Sequence, residues 1–441
     1  MRVILLSTYD LGRQPFGLAS PAAWMKRAGF DVTCVDLSRQ KLAPEAVAAA
    51  GLAAFYLPMH TATRLAMPVI ARLRALRPDL PIAAYGLYAP LNEALLRESG
   101  VSIVLGPEAE GDLVAWATGN PEGLPPRLGP LPRLAFIPPD RSGLPGLEHY
   151  ASLQMPDGTR KVVGATEATR GCKHRCRHCP IVPIYDGQFR VVAVEVVMED
   201  IRKLVAAGAT HITFGDPDFL NGPTHARKLI ETLHAEFPAL TYDAIIKVEH
   251  LLQHRDMLPL LVSTGCLFVT SAVESVDDAV LAKLEKGHTR ADFFAAAALS
   301  RATGLTLVPT FVAFTPWTSL DGYRDLLEVV DQLDLVANVA PVQWGIRLLV
   351  TWQSRLLELP DIQAVIGPFD QATLTFPWRH PDPRVDELQM AITALAGVRL
   401  TTPRPETFAA IRALAKSPAR ENTRPPNPRT AIPYLNEPWY C

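Results

Sequence analysis

The chain opens on short, almost wholly apolar runs: RVILLST, DVTCVDL, LAAFYLP, PIAAYG and VSIVLG, all within residues 1–117. Such runs read as strands buried on both faces, which is what a parallel sheet covered by helices on either side requires. Between them, SPAAWMKRAG and TRLAMPVIARLRALRP carry helical spacing. The alternation resumes over 161–360. There KVVGATEATRG, THITFGD, LTYDAIIK, CLFVTSAVES, LTLVPTFVAF and VAPVQWGIRLLV predict strands. VVAVEVVMEDIRKLVAAGA, HARKLIETLHAEF, DDAVLAKLEKG and RADFFAAAALSRATG predict helices. The expected fold class is therefore α/β: an N-terminal doubly wound parallel sheet, then a partial (β/α)6 barrel of the TIM type with its chemistry at the strand carboxyl ends. A small C-terminal extension follows Pro360, with helices expected at RVDELQMAITALAG and PETFAAIRALAK.

Proline sharpens the boundaries. The 40 prolines among 441 residues cluster at 120–146 and 424–441, and a residue that fixes φ and donates no backbone hydrogen bond marks linkers or extended segments. The expected organisation is 1–119, a Pro-rich linker at 120–160, a barrel at 161–360 and an extension with a Pro-rich tail at 361–441. Net charge is only −2, which gives no bulk attraction to nucleic acid or anionic membrane. The first apolar run is too short for a secretory signal, and no run reaches the ~20 apolar residues of a membrane span, so the cytoplasm is expected.

Six cysteines are too few for a disulfide scaffold, yet three fall within GCKHRCRHCP, at Cys172, Cys176 and Cys179. Zinc would need a fourth ligand, which His174 or His178 could offer, but both are confined between the cysteines and there is only one CxxC knuckle. An iron–sulfur cubane accounts better for three thiolates, because the fourth iron is then left for another ligand. This spacing resembles the cluster motif of radical S-adenosylmethionine (SAM) enzymes. The resemblance implies a [4Fe–4S] cluster held by Cys172, Cys176 and Cys179, whose open iron takes SAM. It also implies reductive cleavage of SAM to begin radical chemistry on a small-molecule or peptide substrate, with flavodoxin or ferredoxin as electron donor. It places the flat ring of His178 against adenine. The turn FGDPDF, with Gly215, Asp216, Pro217 and Asp218, would meet the SAM ammonium, Glu274 with Ser275 the ribose, and Arg347 a carboxylate. Each has a plainer reading: a helix-capping turn for the aspartates, a structural ion pair for Arg347, and a solvated helix end for Lys286–Gly287–His288. Cys34 and Cys266 read as inert core thiols.

The N-terminal unit, through YGLYAP and IVLGPEAEGDLVAWA, resembles the cobalamin-binding Rossmann domain that precedes many radical SAM enzymes. The family's Asp-x-His-x-x-Gly signature is incomplete, because Asp10 and Gly12 are present without the histidine. Cobalamin would then bind without a protein ligand, or the domain would shape a substrate pocket. His60 lies near the expected crevice and reads as a loop histidine bonded to backbone. Together with CKHRCRHCPIVPIYDGQFRVV and GIRLLVTWQSRLLE, the ending NEPWYC resembles the radical SAM group with a Cys-Sec-Ala-Glu-Pro or Cys-Cys-Ala-Glu-Pro tail. This implies that Cys441 is half of a Cys–Sec pair if the next codon is UGA. Cobalamin-dependent methylation and aminocarboxypropyl transfer to a soft element or thiol are the alternative activities. The non-enzymatic rival is a metal- or redox-sensing or RNA-binding module, with Lys173, Arg175 and Arg177 facing phosphates.

Overall fold

A computed structural model describes residues 1–120, 134–399, 402–417 and 432–436. Cys441 and most of the Pro-rich tail lie outside the described residues. Five strands open the chain: β1 (Arg2–Ser7), β2 (Asp31–Asp36), β3 (Leu52–Tyr56), β4 (Ile82–Tyr85) and β5 (Ile103–Val104). They pair in parallel in the order β2-β1-β3-β4-β5. The apolar runs have a simple cause. Along β1, Val3 and Leu5 enter one core cluster and Ile4 and Leu6 the other, so period-two alternation sends every second side chain to a different helical layer and both faces must be apolar.

The helix Phe16–Arg27 starts four residues before the stretch whose spacing suggested it. Pro21 lies inside it and cannot donate to the carbonyl of Gly17; the Tyr85 hydroxyl donates to that oxygen instead, at 2.7 Å. Gly17 is fixed from the other side, since a Cβ there would stand 2.1 Å from the Tyr56 ring. The loop before this helix is thereby anchored to the carboxyl ends of β3 and β4, where ligands of doubly wound sheets bind.

The second sheet has the order β13-β12-β11-β10-β7-β6-β14. Its parallel part is β7 (Arg160–Thr166), β10 (His211–Phe214), β11 (Thr241–Ile245), β12 (Cys266–Glu274) and β13 (Leu307–Phe311). A sixth strand over VAPVQWGIRLLV does not form. Pro341–Gly345 makes a tight 3₁₀ turn, and only a parallel bridge between Phe314 and Arg347 continues the sheet. Pro341 removes a ladder donor, and Trp344 turns into the core. On the opposite edge β6 (Ser152–Gln154) runs antiparallel to β7, and β14 (Tyr434–Asn436) pairs with β6. A separate hairpin, β8 (Thr169–Gly171) with β9 (Phe189–Val191), encloses the cysteine loop. The two helices expected after Pro360 form at Pro383–Val398 and Arg404–Leu414. Among the described residues no helix is long and apolar enough to cross a membrane.

The parts meet through buried ion pairs. Arg170 contacts Glu110 at 2.7 Å and Glu167 at 2.9 Å, and Glu110 also accepts from the Ser20 hydroxyl. Arg141 forks onto Asp200 at 2.8 Å through both Nε and Nη2. Such pairs are costly to break on one side, which ties the N-terminal sheet to the barrel.

Candidate active site at the barrel mouth

Gly171 sets the direction of the cysteine loop. Its φ of +77° is open to glycine, and a Cβ would come 2.4 Å from the Tyr185 ring. Beyond it, Cys172, Cys176 and Cys179 carry free thiols. Burial pushes the Cys172 thiol up, and burial together with the neighbouring sulfurs pushes the Cys179 thiol up to about 12. Three thiols on one short loop, Cys176 buried and Cys172 and Cys179 half-buried, suit a polynuclear cation that takes them as thiolates, so they fit a cubane with three protein ligands. The other described cysteines sit elsewhere: Cys34 on β2 and Cys266 at the start of β12, both buried. Asn221 holds the loop, accepting from Lys173 N at 3.3 Å, with Cys172 Sγ 3.8 Å away.

Two of the loop's basic residues form ion pairs within the protein. Arg175 pairs with Asp186 at 2.6 Å, and Arg177 with Glu285 at 2.5 Å. Both guanidinium groups are thus paired with carboxylates, while Lys173 is exposed.

Glu274 ends β12 in the left-handed region, at φ +66°, where the register against β13 shifts. A non-glycine residue there stores strain of order 1–3 kcal/mol, a device that clusters at functional sites. Its Oε1 lies 3.2 Å from His178 Nε2 and 3.4 Å from Lys286 Nζ. Burial opposes ionisation of this carboxyl, but Lys286 and His178 hold it at about 2. His178 and Glu274 are thus brought together at the mouth, while the Ser275 hydroxyl accepts from Asp277 N at 3.1 Å and belongs to the next helix start.

Lys286 and His288 correct the expectation of a solvated helix end. Lys286 is only 3% exposed, and its charge lies beside Cys176 and Cys179. His288 is buried too, with Nε2 3.2 Å from the Val273 carbonyl. Left-handed Glu285 (φ +51°) and Gly287 (φ +75°) fold the chain inward here.

The aspartates of FGDPDF take different partners. Asp216 accepts from Ala168 N at 3.0 Å and from the Thr169 hydroxyl at 2.5 Å, and burial pushes its carboxyl up to about 7. It stabilises the β7–β8 turn. Asp218 caps Leu220 N and packs against His174 and His250; burial opposes its charge, yet the two histidines hold it at about 2. Gly215 and Pro217 line a cleft instead. Arg347 is committed elsewhere, 2.6 Å from Asp386, with its guanidinium 3.4 Å above the Trp378 ring. Its plainer reading is the one the geometry favours.

That cleft, about 220 Å³, lies between the carboxyl ends of β1, β3 and β4 and the barrel turns. Arg13, Tyr56, Tyr85, Glu167 and Gly215 are among its walls. Arg13 Nε is buried without a hydrogen-bond partner. Gly86, at φ +110°, passes close to the Leu57 backbone and lets the β4 turn into the cleft. The volume falls below the ~300–1,000 Å³ usual for drug-sized ligands, and a corrin is much larger still. No histidine stands at the Asp10–Gly12 loop. His60 is bonded to backbone as expected, 2.6 Å from the Thr373 carbonyl, but it opens the helix His60–Leu76 rather than lying in a loop. The cleft in this form does not fit cobalamin.

Residues 166–321 match the model of the Radical SAM superfamily. The chain therefore carries a radical SAM domain over those residues, a kind of domain that implies a [4Fe–4S] cluster and SAM. It is 25% identical over 175 residues to hopanoid C-3 methylase of Methylococcus capsulatus, a match spanning 40% of this chain and about a third (32%) of that relative. Among solved structures it resembles the cobalamin-dependent SAM radical enzyme OxsB with aqua-cobalamin and SAM bound (TM-score 0.68, 13% identity, 94% of this chain and 71% of that one). It also resembles the radical SAM methyltransferase TsrM of Kitasatospora setae with cobalamin and a [4Fe–4S] cluster (TM-score 0.60, 15% identity, 94% and 99%). At these identities the likeness concerns the fold.

Proposed function

We propose that Cys172, Cys176 and Cys179 hold the cluster, and that the enzyme acts on a small anionic substrate seated between the N-terminal sheet and the barrel. The observation that carries this is the convergence of the three cysteine thiols, the buried Lys286 charge and the Glu274–His178 pair at one barrel mouth. When bound, the cluster supplies the electron that splits SAM and yields a carbon radical. The chain's own residues do the placing. Glu274, ionised and fixed by Lys286, offers two acceptor oxygens to a ribose diol. The His178 ring stands beside it to flank the adenine. Backbone carbonyls of the Gly215–Pro217 turn, rather than the committed aspartate side chains, face the SAM ammonium. Arg13, with an unsatisfied donor in the cleft, suits a carboxylate or phosphate on the substrate.

Anaerobic reconstitution tests this. About four irons per chain, a reduced-state paramagnetic signal altered by SAM, and loss of both in Cys176→Ala are expected; cluster assembly unaffected by that substitution would refute the ligand assignment. The nucleoside product then separates the chemistries: 5′-deoxyadenosine, 5′-methylthioadenosine or S-adenosylhomocysteine. Cobalamin-dependent methylation is the second reading, favoured by fold likeness to cobalamin enzymes over 94% of the chain. It predicts stoichiometric corrin uptake and S-adenosylhomocysteine, whereas the small cleft predicts neither.

A further inference from the structure

Beside the cysteine loop lies a group that the proposed reaction does not use. His174 comes from between the first two cysteines, Asp218 from the turn after β10, and His250 from the helix Val248–Gln253 after β11. One potential donor atom from each lies within 4.8 Å of the others. The individual separations are 3.3 Å between the two Nε2 atoms, 3.5 Å from His174 Nε2 to Asp218 Oδ2, and 2.7 Å from Asp218 Oδ2 to His250 Nδ1. A tetrahedral site with bonds of ~2.0–2.1 Å has edges of about 3.3 Å; the 3.5 Å from His174 Nε2 to Asp218 Oδ2 is close to one such edge, and His250 offers one of its two nitrogens to the same point.

Two facts argue for a cation rather than a plain hydrogen-bonded cluster. Asp218 and His250 are both 0% exposed, and their facing atoms, Asp218 Oδ2 and His250 Nδ1, make no well-aligned hydrogen bond despite the short contact. Among the described residues no lysine or arginine pairs with Asp218, so its charge is balanced by the two histidines alone. Glu249 Oε2 flanks the other ring nitrogen of His174, 3.6 Å from Nδ1, and also lies 3.4 Å from Lys247 Nζ. Outer carboxylates orient metal-bound imidazoles in this way. His174 is 13% exposed, which leaves one approach for water or a substrate oxygen.

The geometry points to a mononuclear divalent transition-metal site, of zinc type, formed by His174, Asp218 and His250 beside the cysteine loop. Two imidazoles and one carboxylate leave a fourth position for water or for a carboxylate or hydroxyl oxygen. This site does not depend on the cluster assignment, and separate metal counts distinguish the two.

The test is elemental analysis of the full-length, anaerobically reconstituted protein, supplied with Zn²⁺ and then passed over a desalting column. About one zinc per chain is expected beside the cluster iron. His250→Gln and Asp218→Asn should each lower zinc at least fivefold while leaving the iron count unchanged. Zinc X-ray absorption on the unaltered protein decides even if a variant fails to fold. A shell of nitrogen and oxygen near ~2.0 Å without sulfur is expected, whereas sulfur at ~2.3 Å would place the metal on the cysteines and overturn the inference. Less than about 0.2 zinc per chain, or full zinc retention in both folded variants, would overturn it as well.

Discussion

Lys286→Met is the most informative perturbation of the barrel mouth. The ammonium is buried and lies 3.4 Å from Glu274 Oε1, a carboxylate that also contacts His178. Two routes give the size of the effect. Breaking one side of a buried ion pair typically costs about 3–5 kcal/mol. Independently, a carboxyl held at about 2 instead of its ordinary 4.5 favours the folded state by about 3 kcal/mol at neutral pH. Lys286 is the largest influence that lowers it, and His178 supplies part of the rest. The expected loss is therefore about 2–4 kcal/mol at pH 7. Because the folded value is depressed, this contribution is complete above pH 4.5 and disappears as pH falls toward 2. Urea unfolding of the cluster-free protein under reductant, repeated from pH 7 to pH 2, measures it. The unaltered chain should lose the contribution below pH 4.5, and Lys286→Met should lack that part of the slope. Glu274→Gln combined with Lys286→Met should recover half or more of the loss, since no buried charge is then left alone. A single-variant loss below ~0.5 kcal/mol, or a double variant no more stable than the single, would refute the argument.

Three further outcomes follow from other contacts. Arg170→Met strands Glu110 and Glu167 between the sheet and the barrel and should cost about 3–5 kcal/mol; faster proteolytic separation of the two parts would register it. Gly86→Ala places a Cβ 2.7 Å from the Leu57 carbonyl oxygen at φ +110°, and a fall in stability of about 2 kcal/mol or more is expected by thermal unfolding. Burial, with Lys286 and Lys247 nearby, holds His288 down at about 4. The unfolded chain gains a proton there near pH 6.5, so stability falls as pH drops from 6.5 to 4, and His288→Gln should flatten that window in the same urea series.

The parts legible in the sequence were those whose cause is local. Both-face burial writes itself into β1, β3 and β4 as unbroken apolar runs, and the spacing of the three cysteines is what points to a cluster in the first place. The missing sixth strand shows the limit. VAPVQWGIRLLV is apolar enough for a strand, but Pro341 and the buried Trp344 turn it into a compact bend. Lys286 and His288 resembled an exposed helix end because composition does not record that two left-handed residues redirect the chain. Arg347 offered no local sign that Asp386, 39 residues later, would claim it. His250 was missed for the same reason. Its partners His174 and Asp218 come from separate loops, and only the order of strands β7, β10 and β11 makes them neighbours.

The backbone at Glu274 carries the argument one step further. At φ +66° glycine would meet little strain, whereas an L side chain costs of order 1 kcal/mol or more. A side chain retained there must return more than that, and apolar packing does not supply it, because the carboxylate faces Lys286 and His178. Strain and charge have one geometric result. The register shift between Ala272 and Glu274 turns the last residue of β12 out of strand alternation, and its carboxylate reaches the ring that precedes Cys179. A straight strand end would separate acid from imidazole and leave Lys286 as an unpaired buried cation. The bulge therefore positions a fixed negative charge next to the cysteine loop, and Lys286 keeps that charge ionised in a place where burial alone would have neutralised it.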